Sequence, residues 1–201
     1  MDTTALVAVA QGSEEMEAVI TIDVLRRAGI KVTVASCSDD GSLQITASRG
    51  VHLVADRHID ELLPDAYDVI VLAGGMPGAE NLRNNAALGL KLKQQRNHSR
   101  WIAAICAAPA VVLLPLDLLG DGQATCHPSF HDKMPPTQLQ ARDPVVVESR
   151  CQLITSQGPG TAFAFALTII ETLLGQAKAN EVAKPLVLPA AAWPLVMAGT
   201  P

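Results

Sequence analysis

The 201-residue sequence has few aromatic residues, which make up 3% of the chain, although 49% of its residues are hydrophobic. Its core must therefore consist mainly of Ala, Val, Leu and Ile, a composition that favours buried parallel strands covered by helices. A net charge of −5 gives no electrostatic reason to expect a sequence-specific nucleic-acid partner. The length is typical of one domain, which we place at residues 1–188, before an apolar, proline-rich tail at 189–201 that we expect to be extended or disordered.

The sequence also lacks paired cysteines and targeting segments. Its four cysteines, at positions 37, 106, 126 and 151, include no CxxC pair. This spacing suits neither a disulfide framework nor a zinc site, so we predict a cytoplasmic protein with no metal, and we expect no cofactor. The N-terminus has no basic region of a secretory signal, and no uncharged apolar run reaches membrane-spanning length, which predicts no membrane partner.

The chain is organised around residues 101–114, where a short apolar run turns at Cys106 into an alanine- and leucine-rich segment that predicts a helix. A strand that turns directly into a helix makes a sharp corner, and the small residues Ala107 and Ala108 fit there. A thiol at this corner lies near free backbone N–H groups and the positive end of the helix dipole, which favours the thiolate. The alternative is a buried structural cysteine at the end of a core strand.

The first 35 residues predict a βαβ unit. An apolar run at 5–10 indicates a buried strand, residues 14–28 indicate a helix that Ser13 can cap, and residues 30–35 indicate the next strand. The parallel strands of such units carry their ligands at the carboxyl edge of the sheet.

Three acids occupy the first turns of this helix. Glu14 and Glu15 complement the helix dipole, which explains them without a further role. Glu17 lies one turn further in and is followed by apolar residues. If that face of the helix turns inward, the Glu17 carboxyl lies in a confined site at the carboxyl edge of the sheet, where the Cys106 corner also falls.

A glycine pair, Gly74 and Gly75, follows the apolar run 67–72. Glycines at this place allow close approach of the backbone, and their N–H groups are suited to face an oxyanion. The alternative is an ordinary turn between a strand and a helix. Residues 44–55 alternate around an Arg-Gly pair, which predicts a hairpin or two short strands outside the parallel sheet.

His127 follows a predicted short strand that begins at residue 123, and it precedes a proline. It is either an exposed surface histidine or a proton shuttle near Cys106. Further along, residues 145–147 and 153–155 predict a pair of strands. The apolar segment 162–174 predicts a helix, and the last helix is expected at 178–187.

Six motifs in this order carry a family resemblance: GSEEMEAV at 12–19, RRAGIKVTV at 26–34, YDVIVL at 67–72 with the glycine pair, AAICAAP at 103–109, HP at 127–128 with DKM at 132–134, and TSQGPGT at 155–161. Together they resemble the ThiJ/PfpI superfamily, in particular the branch of the parkinsonism-associated deglycase and its bacterial YajL-type relatives. The resemblance covers residues 4–188. It implies a flavodoxin-like α/β sandwich of three layers, like that of class I glutamine amidotransferases, with a mostly parallel sheet and helices on both faces. It also implies a homodimer.

The resemblance also implies roles for particular residues. Cys106 matches the family nucleophile, and Glu17 matches the glutamic acid that hydrogen-bonds its sulfur. His127 matches a pocket histidine, whereas Gly75 and the Ala107 backbone match the oxyanion positions.

Two departures from the family pattern matter at the pocket: Ala73 replaces the proline common before the glycine pair, and Met76 follows the pair. Gly74 and Met76 are expected to lie at the pocket, and Met76 makes its entrance more apolar than the polar residue found in the human member. Position 107 is Ala, where PfpI-type proteases have His, and no His-x-Glu follows Cys106. A cysteine protease or glutaminase triad is therefore not expected.

The resemblance implies detoxification of reactive dicarbonyls such as methylglyoxal during oxidative and carbonyl stress. The chain would act on the free compound, as a glyoxalase, or on early adducts with proteins or nucleotides, as a deglycase. A second possibility is a redox sensor in which Cys106 is oxidised to a sulfinic acid held by Glu17. A third is a holdase chaperone, for which the sequence has no residue signature.

Overall fold

The computed structural model describes residues 2–189 and Trp193. The strands are β1 (Thr4–Val9), β2 (Lys31–Ser36), β3 (Gln44–Thr46), β4 (His52–Val54), β5 (Arg57–His58), β6 (Val69–Leu72), β7 (Trp101–Ile105), β8 (Val145–Glu148) and β9 (Leu153–Ser156). The α-helices are α1 (Glu15–Arg27), α2 (Gly78–Asn84), α3 (Ala86–Asn97), α4 (Ala162–Leu174) and α5 (Gln176–Ala183).

The central sheet has seven strands in the order β5-β2-β1-β6-β7-β9-β8. All neighbouring pairs are parallel except β8 and β9, which are antiparallel. The β1–α1–β2 connection and the β6–α2–α3–β7 connection run in opposite directions along the sheet. Right-handed crossovers therefore place α1 on one face of the sheet and the α2–α3 pair on the other face. Helix α4 packs against α1. The predicted α/β sandwich with a mostly parallel sheet is confirmed.

The core explains why so few aromatic residues suffice. All four residues of β6 are buried, as are five of the six in β1, and these strands lie at the centre of the sheet. Their side chains are aliphatic, and Phe165 of α4 is the largest fully buried side chain. Continuous apolar strands of this kind are expected where helices cover both faces of a sheet.

The order of the strands places the site. The chain leads from β1 to β2, its neighbour on one side of the sheet, and from β6 to β7, its neighbour on the other side. The direction in which successive strands are added to the sheet therefore reverses between β1 and β6. In open α/β sheets, the crevice outside the carboxyl ends of the strands at such a reversal is the usual ligand site. The loops that follow β1, β6 and β7 all meet there.

Two predicted elements differ in the structure. The segment after Cys106 is a short π-helical segment, Pro109–Leu113, rather than an α-helix that extends to residue 114. The expected strand at residue 123 is reduced to a single bridge between Ala124 and Leu139. The reason for the first difference is visible in the hydrogen bond from Leu114 N to Pro109 O, which spans five residues and widens the turn.

The remaining predictions agree with the described residues. Strands β3 and β4 form an antiparallel hairpin outside the central sheet, and β8 and β9 form the predicted pair. The last α-helix ends at Ala183 and continues as a 3₁₀ turn, Lys184–Leu186, which contains the proline. In the part of the chain that the structure describes, no helix has the length and apolar character needed to cross a membrane.

The predicted tail, 189–201, lies outside the described residues except for Pro189 and Trp193. The Trp193 indole N–H donates to Asn180 Oδ1 at 3.3 Å, and its ring packs against the main core. This contact places the Trp193 ring beside α5, and the expectation of an extended or disordered tail stays a prediction.

Candidate active site

Cys106 lies at the sharp corner that follows β7. Its backbone has φ 65°, a left-handed conformation that residues with a side chain rarely adopt. The corner is held on both sides, because Cys106 N donates to Ser156 O at 2.9 Å and Cys106 O accepts from His127 N at 2.8 Å. These bonds fix the sulfur at the carboxyl edge of the sheet.

The glycine pair after β6 is required by close packing against this corner. A Cβ on Gly74 would lie 2.6 Å from Cys106 Cβ and 2.9 Å from Glu17 Oε2. Gly75 has φ 84°, and a Cβ there would lie 2.5 Å from Glu14 N. A larger residue at either position would push the backbone apart, so the pair allows three segments of the chain to meet.

Glu17 projects from the first turn of α1 into this contact and is 1% exposed. Its Oε2 accepts a hydrogen bond from Gly74 N at 2.8 Å. Its Oε1 is also buried, and within residues 2–189 it has no hydrogen-bond partner of standard geometry. The Glu17 carboxyl as a whole interacts with the Cys106 thiol, and this second oxygen is left without a competing hydrogen bond.

Glu17 and Cys106 titrate as a pair. Burial raises the pKa of Glu17 to about 7, although the Gly74 N–H opposes this change. Burial and the Glu17 carboxylate raise the pKa of the Cys106 thiol to about 12. The pair therefore loses its first proton near pH 7 and its second near pH 12, so the two groups share one proton between these values.

Two backbone N–H groups favour the form in which the shared proton lies on Glu17. The N–H groups of Gly75 and Ala107 hydrogen-bond the Cys106 sulfur and lower its pKa. The helix dipole expected from the sequence is weak here, because the segment that follows the elbow has only five residues. Stabilisation of a thiolate therefore depends on the two N–H groups, once a neutral Glu17 no longer repels the sulfur anion.

Two neighbouring acids have contacts that the sequence did not indicate. Glu14, rather than the predicted serine, caps α1, because its Oε2 accepts from Glu17 N at 2.7 Å. Glu15 is buried, and its carboxylate accepts from Ser48 Oγ and Arg49 N, both at 2.8 Å. Glu15 thereby fixes the loop of the β3–β4 hairpin beside the site. No local pattern in the sequence signals a contact between segments so far apart.

A cavity of about 380 Å³ opens over the sulfur. Two predicted site residues, Glu17 and Gly74, lie beneath it and are buried. The other predicted residues form part of its wall, and Met76 is 42% exposed there. The lining includes Gly75, Met76, Cys106, Ala107, His127 and Phe130.

The site contains a cysteine thiol, a buried carboxyl and two backbone N–H groups within one crevice. A sulfur nucleophile attacks an electrophilic carbon, and N–H groups beside it are placed to bind the oxyanion that such an attack creates. The fold and the site thus define an α/β protein with a cysteine at a nucleophile elbow.

Known proteins place the chain within that class. The DJ-1/PfpI family matches residues 3–172. The chain is 40% identical over 183 residues to protein DJ-1 homolog B of Arabidopsis thaliana, covering 91% of this chain but only 41% of that longer protein. It is 38% identical over 178 residues to the glutathione-independent glyoxalase DJR-1.2 of Caenorhabditis elegans, covering 89% of this chain and 92% of that one.

A solved structure agrees with these sequences. Oxidized DJ-1 of Toxoplasma gondii superposes with a TM-score of 0.88 at 43% identity, covering 92% of this chain and 98% of that chain. The chain belongs to the DJ-1/PfpI family, and the predicted flavodoxin-like fold and superfamily are confirmed. The bacterial YajL-type placement stays a prediction.

We expect Glu17→Gln to lower the pKa of Cys106. The amide keeps a hydrogen-bond donor near the sulfur but removes the carboxylate charge that opposes the thiolate. The measurement is thiolate ultraviolet absorbance against pH for the wild type and the variant, with Cys106→Ser as the background for the other thiols. If Cys106 titrates at the same pH in both proteins, its ionisation does not depend on the Glu17 charge.

Proposed function

We propose that the chain converts reactive dicarbonyls such as methylglyoxal to hydroxy acids, with Cys106 as nucleophile and Glu17 as proton carrier. The observation that carries this proposal is the buried Glu17 carboxyl, whose pKa of about 7 suits proton exchange near neutral pH. The same chemistry applies to free dicarbonyls or to their early adducts with proteins and nucleotides. Four free thiols also support the cytoplasmic location predicted from the sequence.

The first step is attack of the Cys106 sulfur on the aldehyde carbon. A C–S bond forms, the carbonyl π bond opens, and the oxygen receives a proton to give a hemithioacetal. The N–H groups of Gly75 and Ala107, which already face the sulfur, bind the developing oxyanion. The shared proton on Glu17 is the one delivered.

The remaining steps move hydrogen between two carbons and then release the product. Glu17, now a carboxylate, removes the proton from the carbon bonded to sulfur, which gives an enediolate. The hydroxyl proton of the hemithioacetal passes to the neighbouring oxygen, and Glu17 returns its proton to the neighbouring carbon, which leaves a thioester on Cys106. Water hydrolyses this thioester, so methylglyoxal and one water give lactate and the thiol is restored. No outside oxidant or reductant is needed.

We expect wild-type protein to release lactate from methylglyoxal without added glutathione, and Cys106→Ser to release none. The rate should rise with pH through about 7, because the pair must lose one proton before the carboxylate can act as base. Glu17→Gln should lower kcat by about 10²–10⁴-fold.

Cys126→Ser is the matched control. The Cys126 thiol is fully buried, so this substitution is expected to leave the rate of lactate release unchanged. Lactate release by Cys106→Ser at the wild-type rate would exclude the sulfur as nucleophile. An inactive wild-type protein would remove the dicarbonyl proposal and leave redox sensing or chaperone activity.

Redox sensing is the second candidate, and the position of Cys106 on the cavity wall favours it. In this case a peroxide transfers one oxygen to the sulfur and leaves as water, and a second peroxide completes the sulfinic acid. A neutral Glu17 beneath the sulfur would donate a hydrogen bond to the product. This reaction requires the same singly protonated pair as the dicarbonyl reaction.

We expect mild peroxide treatment to oxidise Cys106 before the other three cysteines. Burial raises the pKa of Cys126 to about 11 and that of Cys37 still further, and neither has backbone N–H groups that stabilise an anion. Peptide mass spectrometry at increasing peroxide measures the order. Oxygen on Cys126 or Cys151 before Cys106 would contradict the assignment.

We also propose a homodimer, formed through α1 and the β3–β4 hairpin. Both elements expose large apolar side chains: Met16 is 53% and Val19 46% exposed on α1, and Val51 is 47% and Val54 71% exposed at the hairpin. The Glu15 carboxylate links the two elements, so the hairpin loop is held against α1. Apolar surface of this kind is typical of an interface between identical subunits.

Sedimentation at micromolar concentration should therefore show a dimer for the wild type and a monomer for Val54→Asp, because the new charge would be buried without a partner. Val187→Asp, at a position that is 87% exposed and outside this surface, is the control and should remain dimeric. A monomeric wild type would contradict the proposal.

A further inference from the structure

The His127 ring is held in one orientation at the cavity wall. Its backbone N donates to Cys106 O at 2.8 Å, which ties the residue to the elbow. Its Nδ1 accepts a hydrogen bond from Ser129 N at 3.2 Å. The Phe130 ring meets it edge-on, with ring centroids 6.4 Å apart. The orientation of the His127 ring is therefore restricted by the backbone hydrogen bond to Cys106, by the hydrogen bond at Nδ1 and by the contact with Phe130.

The contact with Ser129 decides which nitrogen carries the proton. A backbone N–H can only donate, so Nδ1 must present its lone pair. A neutral imidazole has one protonated nitrogen, so the proton lies on Nε2. To accept a second proton, Nδ1 would have to give up the bond from Ser129. As it stands, the ring offers a donor at Nε2 and has no free lone pair.

Nε2 is the polar ring atom left for a ligand. It has no hydrogen-bond partner of standard geometry among the described residues, and His127 lines the cavity that holds the Cys106 sulfur. The same cavity is also lined by Gly75 and Ala107, whose N–H groups hydrogen-bond the Cys106 sulfur. A dicarbonyl has two oxygens, and the second one needs a donor that the two backbone groups do not supply.

Gly158 provides room for this ring position. A Cβ at Gly158 would lie 3.3 Å from His127 Cδ2, which is closer than most real Cβ contacts. Its φ of 164° is extended backbone, so an alanine there would not strain the chain and would act only on the ring. Gly160, two residues further on, has nothing within 4 Å of a Cβ.

We propose that His127 binds the second carbonyl oxygen of the substrate as a hydrogen-bond donor through Nε2–H, and that it does not transfer the proton of the reaction. Gly158 is a positioning residue that permits this placement of the ring. The sequence had offered a proton shuttle for His127, and the bond from Ser129 N argues against that role. This inference rests on the proposed dicarbonyl activity for its kinetic test but not for its spectroscopic one.

The direct test is the tautomer of His127 in the wild-type protein, read from ¹⁵N–¹H correlation spectra of the ring and assigned with His127→Gln. A proton on Nε2 and a lone pair on Nδ1 are expected for the neutral ring. A proton on Nδ1 would overturn the proposal. The result does not depend on turnover, so it separates failure of this inference from failure of the proposed function.

The kinetic test compares His127→Gln with His127→Leu, using methylglyoxal as substrate. The glutamine Nε2 is a donor at similar reach but cannot relay a proton, so its kcat/KM should stay within about tenfold of the wild type. Leucine has no donor and should lower kcat/KM by about 100-fold, the loss typical of one oxyanion donor. Equal losses in both variants would overturn the donor role, because they are the result expected if His127 moves a proton.

The positioning role is tested by Gly158→Ala against the control Gly160→Ala. We expect Gly158→Ala to shift the ring ¹⁵N and ¹H resonances of His127 and to lower kcat/KM, while Gly160→Ala leaves both unchanged. Wild-type resonances and rates in Gly158→Ala would show that Gly158 does not set the ring position.

Discussion

The buried contact between the Glu17 carboxyl and the Cys106 thiol is the constraint on which the rest of the site depends. To bring these groups together, α1 must approach the elbow with only a glycine between them, because a Cβ on Gly74 would meet both side chains within 3 Å. The Gly74 N–H then satisfies one carboxyl oxygen. The left-handed backbone at Cys106 and the glycine pair are thus consequences of the same contact, since each removes an obstacle to it.

Burial of the Glu17 carboxyl lowers stability at neutral pH. The pKa of Glu17 rises from 4.5 to about 7, which corresponds to about 3 kcal/mol between its two protonation states. Because the folded form holds this proton more tightly than the unfolded chain, the free energy of unfolding falls as pH rises from about 4.5 to about 7. A glutamine would avoid this loss of stability but could not exchange a proton. A glutamic acid at this position therefore suits the proposed proton exchange better than a packing role.

Much of this arrangement could be predicted from the sequence, because the signals are local. The apolar runs of β1, β6 and β7 mark buried strands, and the small residues after Cys106 mark the elbow. The length of the segment after the elbow could not be predicted, since a wide turn at Pro109 competes with the α-helix that its composition favours. The contact of Glu15 with Ser48 and Arg49 was also missed, because it depends on how a helix and a distant hairpin pack. The tautomer of His127 depends on one backbone N–H, which no residue pattern reveals.

The polar groups at the cavity divide into donors and a single proton carrier. The N–H groups of Gly75 and Ala107 cannot give up their protons, and the His127 ring has its only lone pair engaged by Ser129. The Glu14 carboxylate also lines the cavity, and its Oε2 caps α1 through Glu17 N. Glu17 differs because its carboxyl is buried and interacts directly with the Cys106 sulfur, and its Oε1 has no hydrogen-bond partner among the described residues. An aldehyde and a peroxide are both attacked by a sulfur anion, so either of the proposed reactions of Cys106 would begin with the transfer of one proton to Glu17.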